Sequence, residues 1–326
     1  MQGHWQLREL GGAYVYANER CLIDQLRQSN GLVVTRMRNV LFVLLAPTML
    51  AVAAGVEPPS AGKPAVDKSV FNLFNPTPTE YLRAMDRDGP GTTESPYTVD
   101  AGHFQVEMTL LAYTHDRESF DGMTQRFEEW EFASMNLKLG LLNQLDVQLV
   151  LEPYNLLYER EGGNRVTRRG FGDTTFRLKY NFWGNDGGRT AFAATPYVKF
   201  PTSQEGIGNR GVEGGLVLPL EVELPSDFWL GWTTRFDAVR NEDKPGYHAE
   251  FVNSVEFGHD LFGNLSGYFE FFSAVSTERE AEWEGTFDPG LIYNFTENLQ
   301  FNVGLNIGVT RSADDWTAFV GMTWRY

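Results

Sequence analysis

Ionisable side chains in the C-terminal part of this chain recur at alternate positions of otherwise apolar stretches. Glu107, Lys138, Asp146, Glu152, Arg177, Lys179, Lys199, Arg235, Asp237, Glu250, Glu256, Glu270, Asp288 and Arg325 all share the polar phase of such stretches. Carboxylates and cations on one face of neighbouring strands can neutralise one another across strands or line a solute path. Tyr154, Tyr197, Trp229, Tyr268 and Phe319 are read in the same phase. An aromatic surface can hold an apolar ring while nearby charges fix its polar end. The candidate lining of a lumen is therefore Glu107, Lys138, Arg177, Lys179, Tyr197, Trp229, Arg235, Asp237, Glu250, Tyr268, Glu270 and Arg325.

Catalysis finds less support. His103, His115, His248 and His259 stand apart, with neither a two-His helical spacing nor a tight pair, so no metal or other cofactor is expected. A lipase at the rim of a barrel would need a His beside a Ser, and no Ser is placed to join His248. The Gly-rich stretch 208–215 lacks the Lys-Ser/Thr ending of a phosphate loop. The chain is thus not read as an enzyme. Arg160, Arg165, Arg168 and Arg169 form a local basic cluster, read as a solvated loop with lipid phosphates as the alternative partner.

These residues are positioned by strands. Alternation with period two runs through 102–114, 126–140, 145–158, 171–183, 189–200, 211–224, 228–240, 247–259, 264–275, 282–295, 298–310 and 315–326. Tight turns alternate with longer, more charged loops, the longest expected at 115–125 and 160–170. One face of eleven of these segments is free of charge at its centre, where Arg or Lys facing lipid would cost about 2–4 kcal/mol. The exception is 126–140, where Glu129 and Glu131 fall out of phase with Met135, Leu137 and Leu139. Either a bulge near Ala133 or an outer half above the membrane accounts for it. Aromatics gather at both ends of the segments, with Tyr113, Phe171, Phe200, Tyr247, Trp283 and Trp316 toward the loops. Phe182, Phe228, Phe295, Trp324 and Tyr326 lie toward the turns, as two membrane interfaces favour. The expected fold is a twelve-stranded antiparallel transmembrane β-barrel over 102–326. The last strand ends on Trp324 and Tyr326, which resembles the signal read by barrel assembly machinery.

Upstream, Arg36 and Arg38 precede an apolar run at 40–54 that ends in small residues. It is too short for a comfortable membrane helix and reads as a signal peptide over 37–54, with 1–36 a start-site extension. Residues 55–101 are expected to form a periplasmic or plug segment. Within it, Thr77-Pro78-Thr79-Glu80 predicts a short capped helix near 77–85. The net charge is −16, from 27 basic and 43 acidic residues, which argues against a nucleic-acid partner. The single Cys, Cys21, precedes the signal, so the mature chain has no thiol chemistry.

The stretch from Thr93 through Ser95, Pro96, Asp100 and Gly102 to Glu107 resembles the opening of the first strand in the meta-pathway phenol-degradation family of outer-membrane transporters. The stretches 71–78 and 145–153 are similar to the same family. The resemblance implies a barrel in the outer membrane of a Gram-negative-type bacterium, surrounded by outer-membrane lipid. It also implies passive passage of small apolar or aromatic solutes. A general ion-permeable porin and a closed structural or adhesion barrel stand as alternatives.

Overall fold

The computed structural model describes residues 67–326, apart from Pro90, 121–122, 162, 205, 210, 242–244 and 279–280, and the backbone of a short hairpin near the N-terminus. That hairpin pairs β1 (Gln6–Leu10) with β2 (Ala13–Ala17). The signal-like run at 37–54, the rest of 1–36 and residues 55–66 lie outside the described residues.

The remaining strands form one antiparallel sheet that closes on itself. Its order is β3 (Phe104–Phe120), β4 (Met123–Leu142), β5 (Leu145–Leu151) with β6 (Tyr154–Glu161), and β7 (Asn164–Gly170) with β8 (Thr174–Trp183). It continues through β9 (Thr190–Phe200), β10 (Glu213–Leu224), β11 (Phe228–Arg240), β12 (Tyr247–Phe262), β13 (Leu265–Ser276), β14 (Glu284–Thr296), β15 (Leu299–Gly308) and β16 (Trp316–Arg325). The last strand pairs back onto β3, and Tyr326 and Phe104 exchange backbone hydrogen bonds of 2.8 and 3.0 Å at the seam. β5 and β6 are one crossing interrupted at Glu152–Pro153, and β7 and β8 are one interrupted at 171–173. The barrel therefore has twelve crossings. Closure leaves no sheet edge, which is what a strand structure needs in lipid.

Alternation sorts side chains as the sequence predicts. In β16, Thr317, Phe319, Thr323 and Arg325 are buried inward, whereas Trp324 is 40% exposed. The phase changes in four neighbouring crossings. Ala133, with φ +57°, drops out of the β4 ladder, and Leu110 drops out of β3. The breaks at Pro153 and at 171–173 do the same in the next two crossings. One extra residue per strand thus makes a line of kinks across the sheet. The bulge returns Glu129 and Glu131 to the interior, where both are buried. The same shift turns Tyr154 outward, opposite the exposed Phe132, so its reading as an inward aromatic is corrected.

Two expectations about connections change. The loops expected at 115–125 and 160–170 are continuations of their strands, paired as far as Phe120 opposite Met123 and Glu161 opposite Asn164. Polar residues on both faces suit a hairpin standing in water, and the ladder satisfies its backbone. The helix expected near 77–85 is a single 3-10 turn, Thr79–Tyr81, without a side-chain cap. Thr77 does not cap it: the turn opens one residue later, after Pro78, and the Thr77 backbone is tied instead to the barrel end, its N–H donating to Ala101 and its carbonyl accepting from His103. Beyond the turn, Leu82 is extended and leads the chain into the barrel.

Candidate functional site: a lumen filled by the N-terminal segment

Residues 83–89 and 91–98 occupy the lumen, and polar groups from nearly every side of the wall hold them. Lys138 on β4, Gln148 on β5 and Arg177 on β8 lie in one register row, with Lys179 opposite Asp146 in the next. This basic wall meets the acids of the inserted segment. Asp88 pairs with Lys138 at 2.8 Å and with Lys179, and its N–H donates to Glu107. Glu107 also accepts from Lys138 at 2.7 Å. Glu94 pairs with Arg177 at 2.5 Å. Buried charges are tolerable only when paired and hydrogen-bonded in this way.

The opposite wall holds the segment by its backbone. Glu270 on β13, fully buried, accepts from the N–H groups of Thr92 and Thr93, one with each oxygen, at 2.9 and 2.5 Å. Thr93 donates to Ser254 on β12, and the Glu94 N–H donates to Thr233 on β11. The Tyr97 hydroxyl donates to Glu221 on β10. At the turn end, Asp100 collects Lys68, Arg83 and the more distant Arg325. Asp186, in the turn after β8, accepts from Asn143 and pairs with Lys68 at 2.9 Å. Burial pushes the Asp186 carboxyl up, but Asn143, Lys68 and Arg83 outweigh it and hold the group below its usual range. The chain then crosses β4 so closely that a Cβ on Gly140 would lie 2.1 Å from the Asp100 carbonyl.

Beside Asp88, Glu94, Glu107 and Arg177 a cavity of about 50 Å³ remains. A cavity that binds benzene is roughly three times larger, near 150 Å³. This gap is therefore of water size.

The structure separates the candidate lining residues into three groups. Glu107, Lys138, Arg177, Lys179, Glu270 and Arg325 touch the inserted segment; the Arg325 guanidinium donates to the Arg83 carbonyl at 2.8 Å. Tyr197, Arg235 and Asp237 join each other nearer the loop end, where Asp237 accepts from both partners at 2.5 and 2.7 Å. Glu250 lies 3.3 Å from His248 on the same side.

The aromatics form the third group, and one of them, Tyr268, also meets the inserted segment, with the Arg87 guanidinium over its ring at 5.7 Å. Trp229, Tyr268 and Phe319 lie over glycines directly opposite in register: Gly258, Gly290 and Gly304. A Cβ at those glycines would come within 2.0, 2.4 and 2.2 Å of the rings. Tyr197 lies over Gly215 in the same way. These rings pave the wall instead of projecting across the lumen. Trp324 and Tyr326 lie outside the lumen with ring centroids 5.9 Å apart.

Asp88, Glu94, Asp100 and Thr92–Thr93 were not among the sequence candidates. The signal that could have found them is the cluster of cations on adjacent strands, facing a Pro/Gly-rich stretch that carries acids.

An outer membrane channel from Pseudomonas putida F1 shares the fold, with a TM-score of 0.51 at 10% identity over 77% of this chain and 99% of that one. Weaker likenesses are to the NanC porin (TM-score 0.42, 10% identity, 68% and 98% covered) and the CymD monoaromatic hydrocarbon channel (0.40, 9%, 69% and 88%). No curated protein matches. Residues 87–326 match the family described as "Putative MetA-pathway of phenol degradation", and the chain belongs to that family.

Proposed function

We propose that this protein is an outer-membrane channel for passive passage of small apolar or aromatic molecules, with no catalytic role. Its resting lumen is closed by residues 83–89 and 91–98. The observation that carries this reading is the chemistry of the closure. The inserted segment is held by ion pairs and hydrogen bonds to a polar wall, contacts that water can replace when it moves. A barrel serving only as a scaffold has no need of an exchangeable filling. The solute class rests on the family description and on the ring surfaces of Trp229 and Tyr268, which become available once the segment withdraws.

The test compares wild-type protein with a variant lacking 60–95 in planar bilayers and solute-loaded liposomes. The deletion is expected to raise conductance several-fold and to speed entry of phenol-sized solutes. A strain lacking the gene should grow poorly on aromatic substrates, with rescue weakened by Trp229→Ala or Tyr268→Ala. A deletion that raises only salt conductance would favour a general pore. One that changes nothing would favour a structural barrel.

A further inference from the structure

Four arginines stand side by side on the outer surface. Arg117 on β3 is opposite Arg126 on β4, Arg126 is opposite Arg160 on β6, and Arg160 is opposite Arg165 on β7. Residues directly opposite in an antiparallel sheet share a face, so all four point the same way. All are exposed. The face is the outer one, because four residues nearer the membrane the same strands carry Tyr113, Trp130, Leu156 and, on β7, the exposed Arg169 in one row. Tyr113 packs there against Trp130 and Trp316, with ring centroids 4.5 and 5.2 Å apart.

Like charges directly opposite one another destabilise a sheet unless something neutralises them. Among the described residues, the carboxylate contact recorded for this row is Arg126 to Glu128 at 3.9 Å. Glu118, Glu159 and Glu161 alternate with the arginines and belong to the inward face. Arg165 also lies over the Tyr158 ring at 5.0 Å. A chain of net charge −16 has thus gathered four cations in a row.

The height of the row indicates what completes it. Four residues of strand rise about 13 Å, or about 10 Å along the membrane normal for a tilted strand. Interfacial aromatic rings sit at headgroup level, so this row lies at the outer edge of that layer, from which long arginine side chains reach back to the phosphates. Four neighbouring strands span about 15 Å, wide enough for more than one anion. Guanidinium forks match phosphate oxygens in geometry and in charge.

We propose that Arg117, Arg126, Arg160 and Arg165 form a binding site for the phosphate groups of an outer-leaflet glycolipid, fixing the tall β3–β4 and β6–β7 hairpins against the membrane. This rests on the reading of the barrel as an outer-membrane protein with those hairpins outward.

The test uses the full folded protein in neutral detergent, with bis-phosphorylated lipid A, monophosphoryl lipid A, a neutral glycolipid or inorganic phosphate added. Retained lipid is counted by native mass spectrometry. Wild type should hold the bis-phosphorylated lipid at least about tenfold more tightly than R117Q/R126Q/R160Q/R165Q, with the monophosphoryl lipid between. The control R189Q, in a turn at the other end, should match wild type. Equal retention by the quadruple variant, or equal binding of the neutral glycolipid, would overturn the proposal. So would competition by inorganic phosphate at equal concentration, which would assign the site to a free anion. Heat-modifiable migration of the variant checks that it is folded. Ser119→Cys, labelled in intact cells, reads the orientation separately. No labelling would sink the outer-membrane reading and the ligand source together; labelling with no lipid discrimination would sink this proposal alone.

Discussion

At the scale of single residues, the closure depends on a few buried charges. Glu270 satisfies two consecutive backbone donors, and leaving such donors unpaired costs about 1–3 kcal/mol each. Glu270→Ala should therefore release the segment at Thr92–Thr93, seen as frequent high-conductance openings in single-channel records. Glu270→Gln keeps one acceptor and should open less often. Asp88→Ala leaves Lys138 and Lys179 without the partner they share, at a cost of about 3–5 kcal/mol. Faster proteolysis of the segment at Arg87 would register that loss. The clasp at Asp186 adds a pH dependence of known sign. A carboxyl held below its ordinary value stabilises the folded arrangement above the ordinary value near 4, and the contribution fades as pH falls further. A spin label at Ser69→Cys should stay immobile from pH 7 to 5 and loosen only in stronger acid.

At the scale of elements, glycine and ring act as one unit. Gly290→Ala would press a methyl into Tyr268 and should cost about 1–3 kcal/mol by overpacking. Tyr268→Ala in the same chain should recover part of it, a coupling that heat-modifiability midpoints in a double-mutant cycle would measure. The elements were also the most legible part of the sequence. Period-two alternation locates every crossing, and the misphased Glu129 and Glu131 call for either a bulge near Ala133, which is found, or an outer half above the membrane. The equivalent shift at Pro153 has no misphased charge to mark it, so parity alone places Tyr154 on the wrong face. Away from these phase shifts the inward side chains are legible by parity alone. Their partners are not, since 83–98 has no period, and its contacts reach as far as Arg83 to Arg325. Such pairings follow from closure of the barrel, which no local pattern encodes.

At the scale of the whole molecule, the closed sheet should resist detergent and migrate faster before boiling than after. Identical migration, or solubility without detergent, would exclude the barrel. The inserted segment has a further consequence, which concerns time. It precedes every crossing in the chain, yet its anchors lie on β3, β4, β8, β10, β11, β12, β13 and β16. Contacts of such sequence separation form late, because the ordering of the intervening chain comes first. The segment must wait near the membrane while the sheet grows, then be enclosed as β16 meets β3 at Tyr326 and Phe104, or slip in afterwards through the turn end. The two orders are distinguishable. If enclosure is obligatory, a bulky fold fused ahead of residue 67 should stall the final seam; if the segment enters last, the seam should close and leave the lumen open.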